Sequence, residues 1–332
     1  MQTPPWHPDR YADRLPFLRR RTLLTKATRA FFDARGYLEV ETSYAVPAPG
    51  EEVHLRAFRT EQEHPDGTRH PLWLHTSPEF AMKRLLVAGA GPVFQLARVW
   101  RNNEGSARHA AEFTMLEWYR PGLMFAGLMD ETEALLRAVL PPVVRSGGVQ
   151  TSLDRFERLT VAEAFHRHAG ADVLGTAGNA DGLAQSAGTA LRDGEGWEDL
   201  FFRLMLERVE PALGRAHPTF LTHWPAAQAA LARRGPDPRV ALRFELFVCG
   251  MELANAFEEL TDPAEQRARF IADRERRHAL YGPDWPLDED MLAALAHGMP
   301  PASGIALGFD RLAMIASGAD RITQVQWLPR ID

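Results

Sequence analysis

Apolar residues recur at helical spacing from Leu15 onward. Leu23, Leu24, Ala27, Phe31 and Phe32 predict an amphipathic helix, and Gly36 is placed to end it. Residues 1–14 read as an irregular arm, residues 37–42 as a strand, and Pro47 lies just beyond. A short strand is expected at 72–75 and a helix at 80–88. Residues 92–100 form an apolar run of strand length. It predicts a hairpin with 112–120 across the loop at 104–111. Residues 122–140 read as a helix. Residues 146–196, rich in Ala, Gly and Asp, show no clear period and predict two short helices among loops. A helix is expected at 197–209, with strands at 219–224, 243–248 and 251–256, the last two arranged around Gly250. Residues 263–280 read as a helix, and 282–301 as a proline-rich loop region enclosing a short helix at 290–297. A strand and a helix meet around Gly308. With no repeat or linker, strands in hairpins and helices grouped around them predict one α+β domain over residues 1–332, an antiparallel sheet flanked by helices.

Composition narrows the class. No apolar run approaches the roughly 18 residues of a membrane span, and the first residues, MQTPPWHPDRYADRL, contain no apolar signal-peptide core. Cys249 is the sole cysteine, which excludes an internal disulfide and argues against a cysteine-built metal site. A cytoplasmic location is expected. A net charge of −6 argues against a surface built mainly to hold nucleic acid.

The chemistry-bearing residues concentrate in RNNEGSARHAAEFTMLEWYR, at 101–120, and GIALGFDRL, at 304–312. Phe113, Glu117 and Tyr119 occupy alternate strand positions and so share one face. An aromatic plate, a carboxylate and a phenol on one face suit a flat base and an amine-bearing substrate. Arg101 and Asn103, two apart, are expected to project to one side at a strand end. Arg101 alone would pass for a surface arginine. Together with Arg311, in an acidic chain, it points to a polyphosphate or an acyl phosphate, which guanidinium groups grip bidentately. Glu245, Glu252 and Glu259 recur at steps of seven. If residues 248 and 249 centre the turn, Glu245 and Glu252 face each other. Facing carboxylates in apolar surroundings call for a cation, and magnesium suits a few carboxylates plus phosphate oxygens. Glu79, Glu117 and Glu259 form a second acidic set, suited to a substrate with two ammonium groups.

At nearly every one of these positions the chain resembles class II aminoacyl-tRNA synthetases. Residues 15–47 resemble motif 1, 92–120 motif 2 and 303–317 motif 3. It is similar to a lysyl-tRNA synthetase catalytic domain without its anticodon-binding domain, and more closely to the elongation factor P lysyltransferase family. LEVET, HTSPEFAMKRLLVAGAGPVFQLARVWRN, EFTMLEWYRP, PTFLTHWPAAQAALA, MELANAFEELTD and SGIALGFDRL carry that resemblance. It implies an ATP- and Mg2+-dependent ligase that forms the adenylate of a lysine-like amino acid, (R)-β-lysine in that family. The acyl group would then pass to a lysine of elongation factor P. The implied ATP contacts are Arg101, Asn102, Asn103, His109, Phe113, Glu245, Leu246, Gly308 and Arg311, with Arg101 and Arg311 catalytic and Phe113 and Arg311 sandwiching the adenine. The implied amino-acid contacts are Ser77, Pro78, Glu79, Glu117, Tyr119, Glu252, Asn255, Glu259 and Ala306, with Glu117 and Glu259 taking the side-chain amine. Glu245 and Glu252 are the implied metal ligands. Ala306 stands where lysyl-tRNA synthetases carry glycine and the transferases alanine. The resemblance also implies a homodimer built through motif 1. With motif 1 starting near residue 15, no room is expected for an N-terminal oligonucleotide-binding barrel, which together with the acidic pI argues against a tRNA partner. The chain departs from the pattern at Asn103, where the family has glutamate, with Glu104 the possible substitute. It departs again at Ala110 and Ala111, which replace an Asn-Pro pair. A non-catalytic amino-acid-sensing paralogue and a truncated synthetase that charges tRNA are the alternative readings.

Overall fold

The structure is a computed structural model that describes residues 3–229 and 231–329. The chain forms two compact units, Met1–Met124 with Glu259–Asp332, and Phe125–Glu258.

The first unit opens with α1 (Pro8–Asp33), so most of the expected irregular arm is helical; residues 1–2 lie outside the described residues. Pro8 stands in the first turn, where a missing N–H costs nothing, and the His7 side chain caps the start. Pro16 lies inside the helix. The buried face is Leu18, Arg21, Leu24, Thr28, Phe31 and Phe32, while Leu23 faces solvent. The strand expected at 37–42 shrinks to β1 (Leu38–Glu39), and it pairs in parallel with β5. A small sheet of β2 (Ala45–Val46), β3 (Phe58–Glu63) and β4 (Arg69–Leu74) follows. Next come α2 (Glu79–Val87), β5 (Val93–Trp100) and β6 (Glu112–Pro121), close to the predicted bounds.

The second unit begins with α3 (Phe125–Val139). The weakly patterned stretch holds strands β7 (Val143–Ser146), β8 (Val149–Ser152) and β9 (Glu157–Thr160) as well as α4 (Val161–Ala169) and α5 (Ala180–Ser186). A capping box between Thr160 and Glu163 starts α4, and Gly170 in the left-handed region ends it. The helix expected at 197–209 is α6 (Trp197–Leu204) continued by a π-helical turn, Met205–Val209. The sheet runs in the order β9, β10 (Thr219–Pro225), β11 (Val240–Val248), β12 (Met251–Glu258). Phe165, Trp197, Phe201, Trp224 and Phe247 belong to one buried cluster on it.

The chain completes the first unit with α7 (Pro263–Tyr281), α8 (Glu289–Gly298), β13 (Ala302–Gly308), α9 (Phe309–Ser317) and α10 (Ile322–Val325). There β6 is central: it pairs antiparallel with β5 on one side and β13 on the other. Both units are thus built on antiparallel-dominated sheets flanked by helices, an α+β fold as expected. Among the described residues, no helix is long and apolar enough to cross a membrane.

Candidate active site

The β5–β6–β13 register assembles most of the predicted residues of the first unit. Directly opposed residues share a face of the sheet. Val99 opposes Phe113, Gln95 opposes Glu117, Gly304 opposes Tyr119, and Ala306 opposes Glu117. Phe113 and Ala306 both pack on a small cluster of Ala97, Val99 and Met115. The other face of β6 presents Trp118, which meets Phe32 of α1. The predicted alternation is therefore real, and it separates a chemical face from a core face.

Glu117 is fully buried, and both its oxygens accept hydrogen bonds. Ser77 Oγ donates to Oε1 at 2.5 Å and the Tyr119 hydroxyl to Oε2 at 2.8 Å. Ser77 also accepts the Glu79 N–H at 3.0 Å, and Pro78 caps α2, so one turn places Ser77, Pro78 and Glu79 together. Burial, then the nearby Glu79 charge, pushes the Glu117 carboxyl up to about 8 despite those two donors. Burial and the charges of Glu117, Glu79 and Glu259 raise the Tyr119 phenol.

Two features of this face escaped the sequence reading. The first is Lys83, one turn beyond Glu79. Its ammonium lies 2.5 Å from Glu79 Oε1 and 2.6 Å from Glu259 Oε2. Glu259 is thus ion-paired through Oε2, although neither of its buried oxygens accepts a hydrogen bond of normal geometry, and Oε1 has no cation against it either. Burial pushes the Glu259 carboxyl up to about 7 against the pull of Lys83, and Glu79 adds to it. Burial by itself would lower the Lys83 ammonium, but Glu259 and Glu79 raise it. An i, i+4 Glu–Lys pair is indistinguishable in sequence from a common surface pair. The second is Gly304. A Cβ there would sit 2.1 Å from the Tyr119 ring and 2.6 Å from Glu259 Oε1, so only glycine lets the phenol lie against the strand.

The raised carboxyls set a pH dependence of stability. Glu117 and Glu259 have ordinary values of 4.5 but hold their protons to about 8 and about 7 in the fold. Across that window the folded state binds more protons than the unfolded chain, so their contribution to stability falls as pH rises. Urea unfolding at pH 5 and pH 8 is expected to show a smaller decline for Glu117→Gln than for the parent. An equal decline in both would remove Glu117 from this account.

Around the arginines the structure corrects one expectation. β5 ends at Trp100, and Asn103 does not extend it. Asn103 has φ of 66°, in a turn where Asn102 accepts its N–H at 2.9 Å. The Asn102 N–H is tied to Arg56 by a bridge of 2.6 Å. Arg101 lies with its guanidinium carbon 5.3 Å above the Phe113 ring and 3.9 Å from the Glu104 carboxylate. Its Nε is buried and has no hydrogen-bond partner. Arg311, in the first turn of α9, donates to His109 Nε2 at 2.5 Å, and His109 Nδ1 lies 2.7 Å from Ser106 Oγ. Gly308 caps α9, and a Cβ there would make only ordinary contact with Arg311.

Other residues on this side were also missed. Asp310 is buried and joined to the Arg21 guanidinium, and it accepts the Thr114 N–H at 3.0 Å. It locks the helix carrying Arg311 onto the strand carrying Phe113. Glu52 is solvent-exposed; the surrounding protein, then the Glu79 charge, push its carboxyl up, and Arg101 opposes them. Gln95, opposite Glu117, is buried with Nε2 unpartnered. An acidic residue after Pro-Gly and a glutamine in a strand carry no chemical signal in sequence.

In the second unit the β11–β12 turn is Cys249–Gly250, with φ of 55° and 66°, one step beyond the centre predicted from sequence. The closing pair is Val248 and Met251. Glu252 opposes Phe247, and after a bulge at Leu253 Glu245 opposes Asn255. Glu245 and Glu252 therefore do not face each other directly. The extra residue has a useful consequence: it shifts the alternation by one, so Glu252, Glu245 and Asn255 share a face. Arg243 joins them, with Nε 3.1 Å from Asn255 Oδ1 and Nη2 2.5 Å from Glu245 Oε1. Burial, then Glu252, pushes the Glu245 carboxyl up to about 8 although Arg243 opposes it. That like-charge stress fits a cation site completed by ligand oxygens. Among the described residues, no group of three or more metal-ligating side chains is assembled.

Residues 10–332, spanning both units, match the family model described as tRNA synthetases class II (D, K and N). The curated relatives match nearly end to end. The Edwardsiella ictaluri protein named "Elongation factor P--(R)-beta-lysine ligase" is 43% identical over 315 residues, covering 93% of each chain. Proteins of the same name from Sodalis glossinidius and Haemophilus influenzae are 44% and 42% identical, covering 93% and 96% of each chain. With its arginine-bearing hairpin, its closing strand and helix, and this coverage, the chain belongs to the class II tRNA synthetase family.

Proposed function

We propose that the protein activates a lysine-like amino acid, (R)-β-lysine foremost, with ATP and transfers the acyl group to a lysine side chain of elongation factor P. The observation that carries this reading is the carboxyl set of the first unit. Glu79, Glu117 and Glu259 are all buried, and the single Lys83 ammonium pairs only Glu79 and Glu259. Burial holds the Glu117 and Glu259 carboxyls up against ionisation, and a cationic ligand would relieve that cost. A β-lysine carries two ammonium groups. The relatives' shared name points to the same amino acid and to the same acceptor.

In this reading the amino-acid carboxylate attacks the α-phosphorus of ATP, the bond to the bridging oxygen breaks, and pyrophosphate leaves. Arg101, with its unpartnered Nε, and Arg311 stabilise the charge that develops on phosphorus. Phe113 offers a ring for the adenine, and Asn102, Asn103, His109 and Gly308 complete the nucleotide side of the first unit. The neutral acceptor amine then attacks the acyl carbonyl carbon, AMP leaves, and the amine proton passes to solvent. The amino acid is held by Ser77, Pro78, Glu79, Glu117, Tyr119, Glu259 and Ala306. Glu245, Leu246, Glu252 and Asn255 keep the roles that the resemblance implies for them. Glu245 and Glu252 would hold a Mg2+ that neutralises phosphate charge when bound, with phosphate oxygens completing its shell. The proposal includes a homodimer formed through residues 15–47, a cytoplasmic location and no tRNA acceptor.

The test is to incubate the protein with ATP, magnesium, β-lysine and elongation factor P and measure the intact mass of the factor. One added lysyl unit is expected. An unmodified factor alongside acylated bulk tRNA would establish the truncated-synthetase reading instead.

Ala306 is the expected selectivity residue. It lies opposite Glu117, and its methyl packs beside Met115 in the pocket wall. Ala306→Gly should raise use of α-lysine relative to β-lysine by about 10–200-fold, the range one carbon can supply. The ratio of kcat/KM values for the two amino acids measures it. An unchanged ratio removes Ala306 from the specificity argument.

A further inference from the structure

Lys83 is the one cation among the described residues that lies within ion-pair distance of both Glu79 and Glu259. Its side chain is 2% exposed, and it extends from α2, while Glu259 follows β12 directly. We propose that Lys83 is a positioning residue for the amino-acid pocket, bridging Glu79 and Glu259 so that Glu259 Oε1 stays free to receive an ammonium group of the substrate. This rests on the proposed function and assigns a role within it.

The geometry supports the division of labour. Lys83 is ion-paired with Oε2 of Glu259, whereas Oε1 has neither a hydrogen bond nor a cation against it and lies 2.6 Å from the place a Gly304 Cβ would occupy. That oxygen therefore lies beside the Tyr119 ring. Glu117, whose oxygens are both taken by Ser77 and Tyr119, is oriented by neutral donors, whereas Glu79 and Glu259 are oriented by a charge. A buried ammonium is tolerated only when it is well paired, and here two carboxylates pair it. Without it, two carboxylates would be left near each other in a dry site, and one would take up a proton. The freed carboxyl would rotate, and the acceptor oxygen would lose its aim. The groups facing this point are Glu79 and Lys83 from α2, Glu117 and Tyr119 from β6, Glu52 from the preceding loop, and Glu259.

The experiment is amino-acid-dependent pyrophosphate exchange by the full chain and by Lys83→Met, with KM for the amino acid and for ATP measured separately across pH. The expected result is a rise of about 10–100-fold in amino-acid KM, as for loss of a charge-assisted contact. ATP KM should stay within about threefold, because the nucleotide residues are untouched. Removing the bridging cation should also move the acid limb of kcat/KM upward in pH. Added ethylammonium, which can refill the vacated slot, should restore amino-acid KM in part. Lys83→Gln keeps a donor of similar reach and takes over the measurement if the methionine variant does not fold. An unchanged amino-acid KM overturns the inference. So does an equal loss for amino acid and ATP with no change in the pH limb and no rescue, and so does failure of both variants to fold, since each makes Lys83 a purely structural residue. Absence of exchange by the parent chain would instead overturn the proposed function, so the two failures are distinct.

Discussion

Arg311→Lys is expected to slow amino-acid-dependent pyrophosphate exchange by about 10²-fold or more, the cost of losing one preorganised transition-state donor. Lysine keeps the charge but loses the planar fork that stacks on a base and grips a phosphate with two parallel bonds. The structure ties this guanidinium to the loop at 104–111. Arg311 leaves the first turn of α9 and donates to His109 Nε2, which requires a neutral imidazole with its proton on Nδ1, facing Ser106. The loop carrying His109 is itself pinned, because Ile322 donates to Ala107 at 2.8 Å. Lysine at 311 would reach the same region with a rotating point charge. A near-wild-type exchange rate would place Arg311 outside the site. A loss confined to ATP KM would make it a binding group with no part in the chemical step.

Asp310→Ala is expected to destabilise the protein by about 3–5 kcal/mol, the range for removing one partner of a buried ion pair. Asp310 and Arg21 are both buried, and their side chains are in direct contact. Arg21 further donates to Thr114 Oγ1 at 3.0 Å and to the Val325 carbonyl at 3.2 Å, so the pair ties α1, β6, α9 and the C-terminal helix together. Alanine would strand the guanidinium of Arg21 in the core and leave the Thr114 N–H without its acceptor. Urea unfolding measures the loss. The double replacement Arg21→Met with Asp310→Leu should recover much of it, because removing both charges ends the uncompensated burial. A loss below about 1 kcal/mol for Asp310→Ala would contradict the buried-pair account. Because Asp310 precedes Arg311, a partially folded variant should also lose exchange activity before it loses its helices.

What the sequence by itself determined is what short-range chemistry dictates. The β5–β6 hairpin was legible to within a residue at each end because a strongly apolar run and an alternating run flank a polar loop. The shared face of Phe113, Glu117 and Tyr119 followed from the two-residue period of a strand, with no tertiary information. The family resemblance was legible too, and the comparisons bear it out. The start of α1 was not, since its first turns, from Pro8 to Arg14, carry mostly polar residues and so lack the apolar period that marks the helix from Leu15 onward.

Tertiary structure alone decided which charges meet. Glu245 and Glu252 are seven apart, and a bulge at Leu253 brings Asn255 opposite Glu245 while keeping all three on one face. A bulge depends on how two strands settle against each other, so no local pattern announces it. The i, i+4 spacing of Glu79 and Lys83 encodes only a helical pair, and only the packing of α2 brings Glu259 to the Lys83 ammonium from 176 positions away in sequence. At Gly304 the Tyr119 ring occupies the space of the missing side chain, a close approach that no local pattern encodes. In each case the deciding quantity is the free energy of burying charge or volume, which depends on neighbours brought together by long-range closure of the chain.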